Sequence, residues 1–199
     1  LDPMKIIDIE KENFEFGILV LKKLVDCLIH ISVNDKAKLE LDECEQLKIH
    51  EFSGPHPTGL VGTQMHFISP ASLSNINWTV GYQDVIAIGK LFSTGRLSYD
   101  RYISLAGPQV IEPTYVKTRL GACTDELTAG ELTQRENRVI SGSVLSGREA
   151  IGPYAYLGRY HNQISVVAEP NSKDREFMNW LTPGPRKFSK IPLFLSSIL

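Results

Sequence analysis

The sequence predicts an α/β fold in two domains, and three observations support this prediction. Helical and strand-like apolar patterns follow one another through residues 1–98, as in a layered α/β domain. The second predicted strand of this region leads into a loop rich in glycine and proline, and a helical pattern follows. Beyond residue 98 the patterns are short strands with one short helix, which predicts a smaller α+β domain over residues 99–170.

The first domain begins with an amphipathic helix and two strands. Residues 10–25 place apolar side chains at helical spacing, on a face formed by Phe14, Gly17, Ile18, Leu21, Leu24 and Val25. Residues 27–33 alternate between two faces, and this period of two predicts a strand; one face holds Cys27, Ile29, Ile31 and Val33. A second strand is predicted over residues 47–52.

Two more helices complete the first domain. One is predicted over residues 58–67, and the next over residues 80–92, ending at Gly95 because glycine readily adopts the left-handed conformation of a C-terminal cap. The apolar face of the helix over residues 80–92 is expected to contain Val85, Ile88, Gly89 and Phe92. A strand, a glycine loop and a helix in this order are typical of ligand-binding α/β turns. Residues 1–98 are therefore predicted to form a Rossmann-like layer domain, incomplete on its N-terminal side.

The second domain is predicted from a hairpin, a short helix and two further strands. The strands fall at residues 102–106, 115–118, 138–141 and 163–169, and the helix at residues 124–128. This order is that of a β-grasp domain. Residues 171–199 are expected to hold a short helix and then a proline-rich segment of a truncated region, since prolines interrupt helices. We expect the sequence to be a fragment with material missing at both ends.

Composition excludes several classes of protein. Hydrophobic residues make up 42% of the 199 residues and charged residues 22%, as in folded globular domains rather than disordered chains. The net charge of −2 gives no general attraction to nucleic acid. No apolar stretch reaches the roughly 20 residues that a transmembrane helix needs.

The loop from Ser53 to Gly62 (SGPHPTGLVG) is the main candidate for a binding site. Backbone amides at a helix N-terminus can bind phosphate, but this loop matches neither GxGxxG nor a P-loop. Pro55 and Pro57 also remove two amide donors. Two interpretations remain open: a loop that packs a helix against the sheet, or a contact with a ligand or a partner through Gly54, His56, Pro57, Gly59 and Gly62.

The other polar residues match no catalytic or metal-binding pattern. His50, His56 and His66 do not have the spacing of metal ligands. The three cysteines are far apart, without a CxxC pair, and are interpreted as ordinary thiols. GxSxG is absent. We therefore predict no catalytic residue and no metal ligand.

Three separated stretches resemble the NqrA family. Its members are subunits of the sodium-translocating NADH:quinone oxidoreductase, which is the bacterial respiratory sodium pump. They are SGPHPTGLVGTQMHFISP at residues 53–70, TVGYQDVIAIGKLFSTG at residues 79–95 and RYISLAGPQVIEPTYVKTRLG at residues 101–121. They occur in the family's order, and the resemblance covers nearly the whole chain.

This resemblance implies a peripheral subunit on the cytoplasmic face of the bacterial inner membrane, in contact with the pump's membrane subunits. The complex is expected to couple NADH oxidation and ubiquinone reduction to sodium export. NADH, FAD, FMN and the iron–sulfur centre are expected on other subunits, and this chain is expected to bind no cofactor of its own. Ubiquinone is the ligand that the resemblance suggests for the glycine loop.

A weaker resemblance connects the chain to the NADH-binding flavoprotein subunit of respiratory complex I, which has a similar order of strand, glycine loop, helix and β-grasp domain. This chain lacks that subunit's flavin-binding glycine pattern and its cysteine cluster, which implies a related fold without the redox chemistry. Two alternatives remain: a stand-alone oxidoreductase domain that binds flavin or nicotinamide, and a small-ligand-binding or scaffold module.

Overall fold

A computed structural model describes residues 2–37, 39, 41, 44–133 and 136–169 of the chain. The short helix and proline-rich segment predicted within residues 171–199 lie outside this range. The described residues contain helices and two sheets, which confirms the α/β class. They divide into two compact units, one formed by residues 2–104 and 115–122, the other by residues 105–114 and 123–169.

The described residues of the first unit up to residue 99 contain four helices and two parallel strands. The helices are α1 (Pro3–Ile9), α2 (Lys11–Leu24), α3 (Val61–Ile68) and α4 (Tyr82–Thr94). The strands are β1 (Ile29–Asn34) and β2 (Leu47–Phe52), paired in parallel with Ile29 opposite Leu47. The three predicted helices and both strands are confirmed, although α3 begins at Val61 rather than at residue 58.

Helices α2 and α4 cross in close contact, and two glycines make the crossing possible. A Cβ on Gly89 would overlap the carbonyl oxygen of Asn13, and a Cβ on Gly17 would overlap that of Val85. Each helix therefore presents bare backbone at the point where the other passes. Phe14 and Ile18 pack beside this crossing in a buried cluster, whose other buried members are Ile6, Ile7, Leu47, Val85 and Ile86.

The apolar faces of the two helices differ from the predicted ones at their ends. Leu24 and Phe92 are exposed, whereas Ile86 is buried and takes part in the core. The prediction for Leu24 and Phe92 was wrong because the core lies around the glycine crossing and does not extend to the last turn of either helix. Gly95 caps α4 in the left-handed conformation, with φ of +70°, as predicted.

Helix α1 was not predicted, yet its start follows from the sequence. Asp2 is the N-cap and accepts a hydrogen bond from the Met4 amide through its carboxylate (3.1 Å). Pro3 occupies the first turn, where its missing N–H leaves no intrahelical bond unmade. Ile6 and Ile7 are buried in the core cluster, and burial of this kind stabilises a helix too short to persist alone.

Polar side chains join α4 to the strand β3 (Asp100–Ala106). The Gln83 amide donates to the Tyr102 carbonyl oxygen and accepts from the Tyr102 N–H, both at 2.8 Å. Arg101, only 3% exposed, pairs with Asp84 at 2.9 Å. The buried side chain of Gln83 thus acts like a neighbouring strand and fixes the register between helix and strand.

A five-stranded sheet has the order β4-β3-β7-β5-β6. Its other strands are β4 (Thr114–Arg119), β5 (Asn137–Ser141), β6 (Arg148–Glu149) and β7 (Gln163–Ala168), and α5 (Thr124–Thr128) lies between β4 and β5 in the chain. Strand β5 pairs antiparallel with both β7 and β6. The four predicted strands and the helix are confirmed, whereas β6 and a short 3₁₀ helix at Gly152–Tyr154 were not predicted.

The second unit has its own buried residues. Ile164 and Val166 of β7 are fully buried, together with Leu105 at the end of β3. Gly107 forms the turn after β3, with φ of +141°, and a Cβ there would overlap the Val166 carbonyl oxygen. Glycine is therefore required at this turn for two independent reasons.

Replacing Gly89 with alanine is expected to destabilise the chain by about 3 kcal/mol, because the new methyl group forces α2 and α4 apart. Urea unfolding measures this change. Gly62→Ala is the control, since nothing lies within 4 Å of a Cβ at this helical glycine, and alanine raises helix propensity by up to about 1 kcal/mol. Equal stability of Gly89→Ala and the unchanged chain would contradict the description of the crossing.

Candidate functional site

The glycine loop joins β2 to α3 and has a defined internal structure. Thr58 donates to the Pro55 carbonyl oxygen through its N–H (3.1 Å) and its hydroxyl (2.7 Å). The Leu60 N–H donates to the Pro57 carbonyl oxygen at 2.8 Å. Gly54 begins the loop with φ of +129°, a conformation that favours glycine. The Gln64 side chain then ties the loop to α3 by donating to the Thr58 carbonyl oxygen at 3.1 Å.

The predicted contact residues all lie on this exposed stretch. Gly54, His56, Pro57 and Gly59 are exposed in the loop, and Gly62 is exposed in the first turn of α3. A cis peptide bond precedes Pro57. The His56 ring makes no hydrogen bond or ion pair within the described part of the chain. The loop therefore presents His56 to the surroundings rather than to a cavity.

Four backbone positions of this loop offer no free amide hydrogen to a phosphate. Phosphate-binding loops direct several backbone amides toward one point. Here Pro55 and Pro57 have no amide hydrogen, and the amides of Thr58 and Leu60 are used inside the loop. Pro55, Pro57, Thr58 and Leu60 therefore supply no donor to a phosphate bound at this loop.

Two histidines meet on the sheet formed by β1 and β2. His30 Nδ1 and His50 Nε2 are 2.8 Å apart, and their ring centroids are 5.0 Å apart. One ring must donate and the other accept, so this bond requires at least one neutral imidazole. The pKa of His30 is lowered by loss of hydration against the strand, and further by the charges of His50 and Lys48.

Sequence reasoning did not find this histidine pair, although a signal was present. His30 lies on the same face of β1 as Ser32, and Ser32 is opposite His50 in the parallel register. The alternation of each strand was readable from the sequence. The register between two strands separated by residues 35–46 was not, and only the register brings the two rings together.

A second polar cluster lies where α4 meets β3. Lys90 pairs with Glu10 at 2.7 Å and with Asp100 at 3.5 Å, and Lys117 pairs with Asp100 at 3.3 Å. Burial acts to raise the pKa of Glu10, but hydrogen bonds from Lys90 and Asn13 and the charge of Lys90 lower it overall. The cleft beside Lys90, Asp100 and Tyr102 has a volume of about 10 Å³. That is room for about one water molecule.

A serine and a histidine also meet in the second unit. Ser141 Oγ is 2.8 Å from His161 Nδ1 and accepts a hydrogen bond from the Gly158 N–H at 3.0 Å. Ser141 is fully buried, so no substrate reaches its hydroxyl. Burial lowers the pKa of His161, and the charge of Arg148 lowers it further. This pair anchors the segment around Gly158 to β5.

Potential metal ligands are not grouped within the described ranges. No set of three or more histidine, cysteine, aspartate or glutamate side chains there could hold a metal ion. Cys27, Cys44 and Cys123 are free thiols. Of the helices that the structure describes, none is long and apolar enough to cross a membrane.

Comparisons with known proteins show the family. Residues 1–97 match the family described as "NqrA second alpha/beta domain", and residues 102–151 match the "NQRA C-terminal domain". Relatives named as the A-subunit of Na(+)-translocating NADH-quinone reductase are similar over most of the chain. That of Saccharophagus degradans is 47% identical over 197 residues, covering 99% of this chain and 44% of the relative.

The relatives of this name from Serratia proteamaculans and Neisseria gonorrhoeae are each 50% identical over 188 residues, covering 94% of this chain and 41% and 42% of the relatives. The chain belongs to the NqrA family, which confirms the resemblance seen in residues 53–70, 79–95 and 101–121. It spans about two fifths of the length of these relatives.

Replacing Gly54 with alanine is expected to loosen the loop, because alanine is strained at φ of +129° and its Cβ would lie 3.1 Å from the Thr58 hydroxyl. Amide hydrogen exchange should become about tenfold faster at Thr58 and Leu60, as local opening becomes easier. Gly59→Ala is the matched control, since nothing lies within 4 Å of its Cβ. Equal exchange rates in the two variants would refute the assigned loop conformation.

The histidine pair predicts a pH dependence of stability. The pKa of His30 is lower in the folded chain than in the unfolded chain. The contribution of neutral His30 to the free energy of unfolding is therefore complete above the unfolded pKa of about 6.5, and it is lost as the pH falls through the folded pKa. NMR titration of the ring should show this lowered pKa. His50→Gln should raise the pKa of His30, because the charge of His50 is removed. The part of the lowering that burial causes should remain. A His30 titration unchanged by His50→Gln would be inconsistent with the pair.

Proposed function

We propose that this chain acts as part of the NqrA subunit of the sodium-translocating NADH:quinone oxidoreductase. The observation that supports this most strongly is the identity of about half of all positions with relatives of that name, across nearly the whole chain. In this proposal the complex couples NADH oxidation and ubiquinone reduction to sodium export. The chain is a peripheral subunit on the cytoplasmic face of the inner membrane, and the membrane subunits are its main partners.

We further propose that this chain holds no redox cofactor and that other subunits hold FAD, FMN and the iron–sulfur centre and bind NADH. The internally bonded amides of Thr58 and Leu60 support this, because neither can donate to a phosphate. The dispersed thiols of Cys27, Cys44 and Cys123 support it as well, since iron–sulfur clusters are held by several cysteines together.

The proposed folds are Rossmann-like for residues 1–98 and β-grasp for residues 99–170. Two parallel strands joined to helices, with the glycine loop following β2, favour the first assignment. A hairpin of β3 and β4, a short helix and further antiparallel strands favour the second.

The glycine loop is the proposed point of contact with ubiquinone. The residues that would contact ubiquinone are Gly54, His56, Pro57, Gly59 and Gly62. His56 supports the proposal most directly, because its exposed ring has a free nitrogen that can donate a hydrogen bond to a quinone carbonyl. The absence of charged side chains from the loop also suits an uncharged ring.

The proposed role in the pump is tested by removing the gene for this subunit from the bacterium, then restoring it from a plasmid. Sodium-dependent NADH:ubiquinone activity of the membranes should disappear and return together with the chain. The visible absorbance of the purified full-length subunit tests the proposal that it holds no redox cofactor. Stoichiometric flavin in that subunit would favour a flavin-binding oxidoreductase instead and contradict the proposal that it holds no cofactor.

Replacing His56 with alanine in the assembled complex is expected to raise the KM for ubiquinone about fivefold, as expected for one lost hydrogen bond. The control is His66→Ala, which removes another exposed histidine from the neighbouring helix. An azido-ubiquinone should label residues 53–67, and excess unlabelled quinone should prevent it. Competable labelling confined to other subunits would remove the quinone contact from the proposal and leave the family assignment unaffected.

A further inference from the structure

The stretch that follows the glycine loop exposes an unusual number of large apolar side chains. Trp78 is 90% exposed, Ile76 is 75% exposed and Leu73 is fully exposed. Phe67 at the end of α3 is 74% exposed, and α3 contains no buried residue. We call Phe67, Leu73, Ile76 and Trp78 the apolar surface. Exposed apolar groups concentrated in one stretch mark an interaction site more often than chance.

This stretch is held in place by its own hydrogen bonds. The Asn75 side chain donates to the Ser69 hydroxyl at 2.9 Å and to the Pro70 carbonyl oxygen at 2.8 Å. The Asn77 side chain donates to the Ser69 carbonyl oxygen at 2.6 Å, and Ser72 and Asn75 exchange backbone bonds. The side chains of Asn75 and Asn77 thus bond within their own stretch of chain, while Leu73, Ile76 and Trp78 face outward.

Outward apolar and inward polar groups reverse the usual arrangement of a surface loop. A fixed loop also loses little conformational entropy when it is covered, which favours association. The arrangement is therefore that of a preformed contact rather than of a flexible connection.

The charge pattern of the chain distinguishes between occupants. Residues 52–83 contain no aspartate, glutamate, lysine or arginine, although 22% of the whole chain is charged. Depletion of charge is characteristic of the central part of protein interfaces. Binding to anionic lipid instead depends on lysine and arginine near the membrane, and this segment has neither.

The length of the relatives points to the occupant. The matched region makes up 41–44% of the relatives' length, so more than half of each relative lies outside it. Residues 1–97 match a domain described as the second α/β domain of the family, and the description implies another α/β domain in the same polypeptide. An uncharged face of that domain would have the chemistry to cover the apolar surface.

We propose that the apolar surface is the docking site for the other α/β domain of the same NqrA polypeptide. Trp78 and Phe67 are the central contacts, since large aromatic side chains dominate binding at interfaces. Because the two domains belong to one chain, the docking is intramolecular and a modest contact area is sufficient. The glycine loop, tied to α3 through Gln64, is then held at the margin of this interface.

The test is the accessibility of single cysteines in the full-length NqrA polypeptide that carries this sequence, purified without its partner subunits. Leu73→Cys and Ile76→Cys are compared with Glu12→Cys, which replaces an exposed charged residue on α2. Modification by a maleimide is followed by peptide mass spectrometry, and each rate is divided by the rate in urea. We expect positions 73 and 76 to react about tenfold more slowly than position 12, because reaction requires the domains to separate.

The other occupants give different results. Rapid modification at positions 73 and 76 in the isolated polypeptide, with protection only after assembly of the complex, would assign the surface to a neighbouring subunit of the pump. That result would overturn the proposal. Protection that requires vesicles of phosphatidylcholine and phosphatidylglycerol would assign it to the membrane, with the same consequence. Equally rapid modification under every condition would show an uncovered surface and also overturn it.

Discussion

The close crossing of α2 and α4 is the contact on which the first unit depends. Gly17 and Gly89 allow the two backbones to meet, and this brings Phe14 and Ile18 into the core. Tight packing of this kind tolerates little added volume. The position of α4 then determines where Gln83 meets β3, so the helix–strand connection follows from the same crossing.

Side-chain amides, as well as ion pairs, join the elements of the first unit. Gln46 donates to the carbonyl oxygens of Lys22 and Val25 at the end of α2, at 3.1 and 2.6 Å, and so satisfies backbone groups that the helix leaves unbonded. Gln83 does the same for β3, and Gln64 for the glycine loop. These bonds do not depend on ionic strength, whereas exposed ion pairs are weakened by salt.

Local patterns made much of the fold predictable, whereas contacts between distant residues were not. The strand over residues 47–52 and the helix over residues 124–128 were predicted with their observed limits, because turn residues bound each pattern. Leu24 and Phe92 fit the helical period but are exposed, since the period does not reveal where the partner helix ends. The glycine loop was identified from its composition, but the meeting of His30 and His50 depends on strand register, which no local pattern contains.

The two compact units are not consecutive in the chain, and this affects how the protein is made. Residues 105–114 belong to the second unit and lie between two parts of the first, which is complete only at residue 122. On the ribosome, domains generally fold as they emerge. The sequence of the first unit is therefore complete only after residues 105–114 of the second unit have been synthesised.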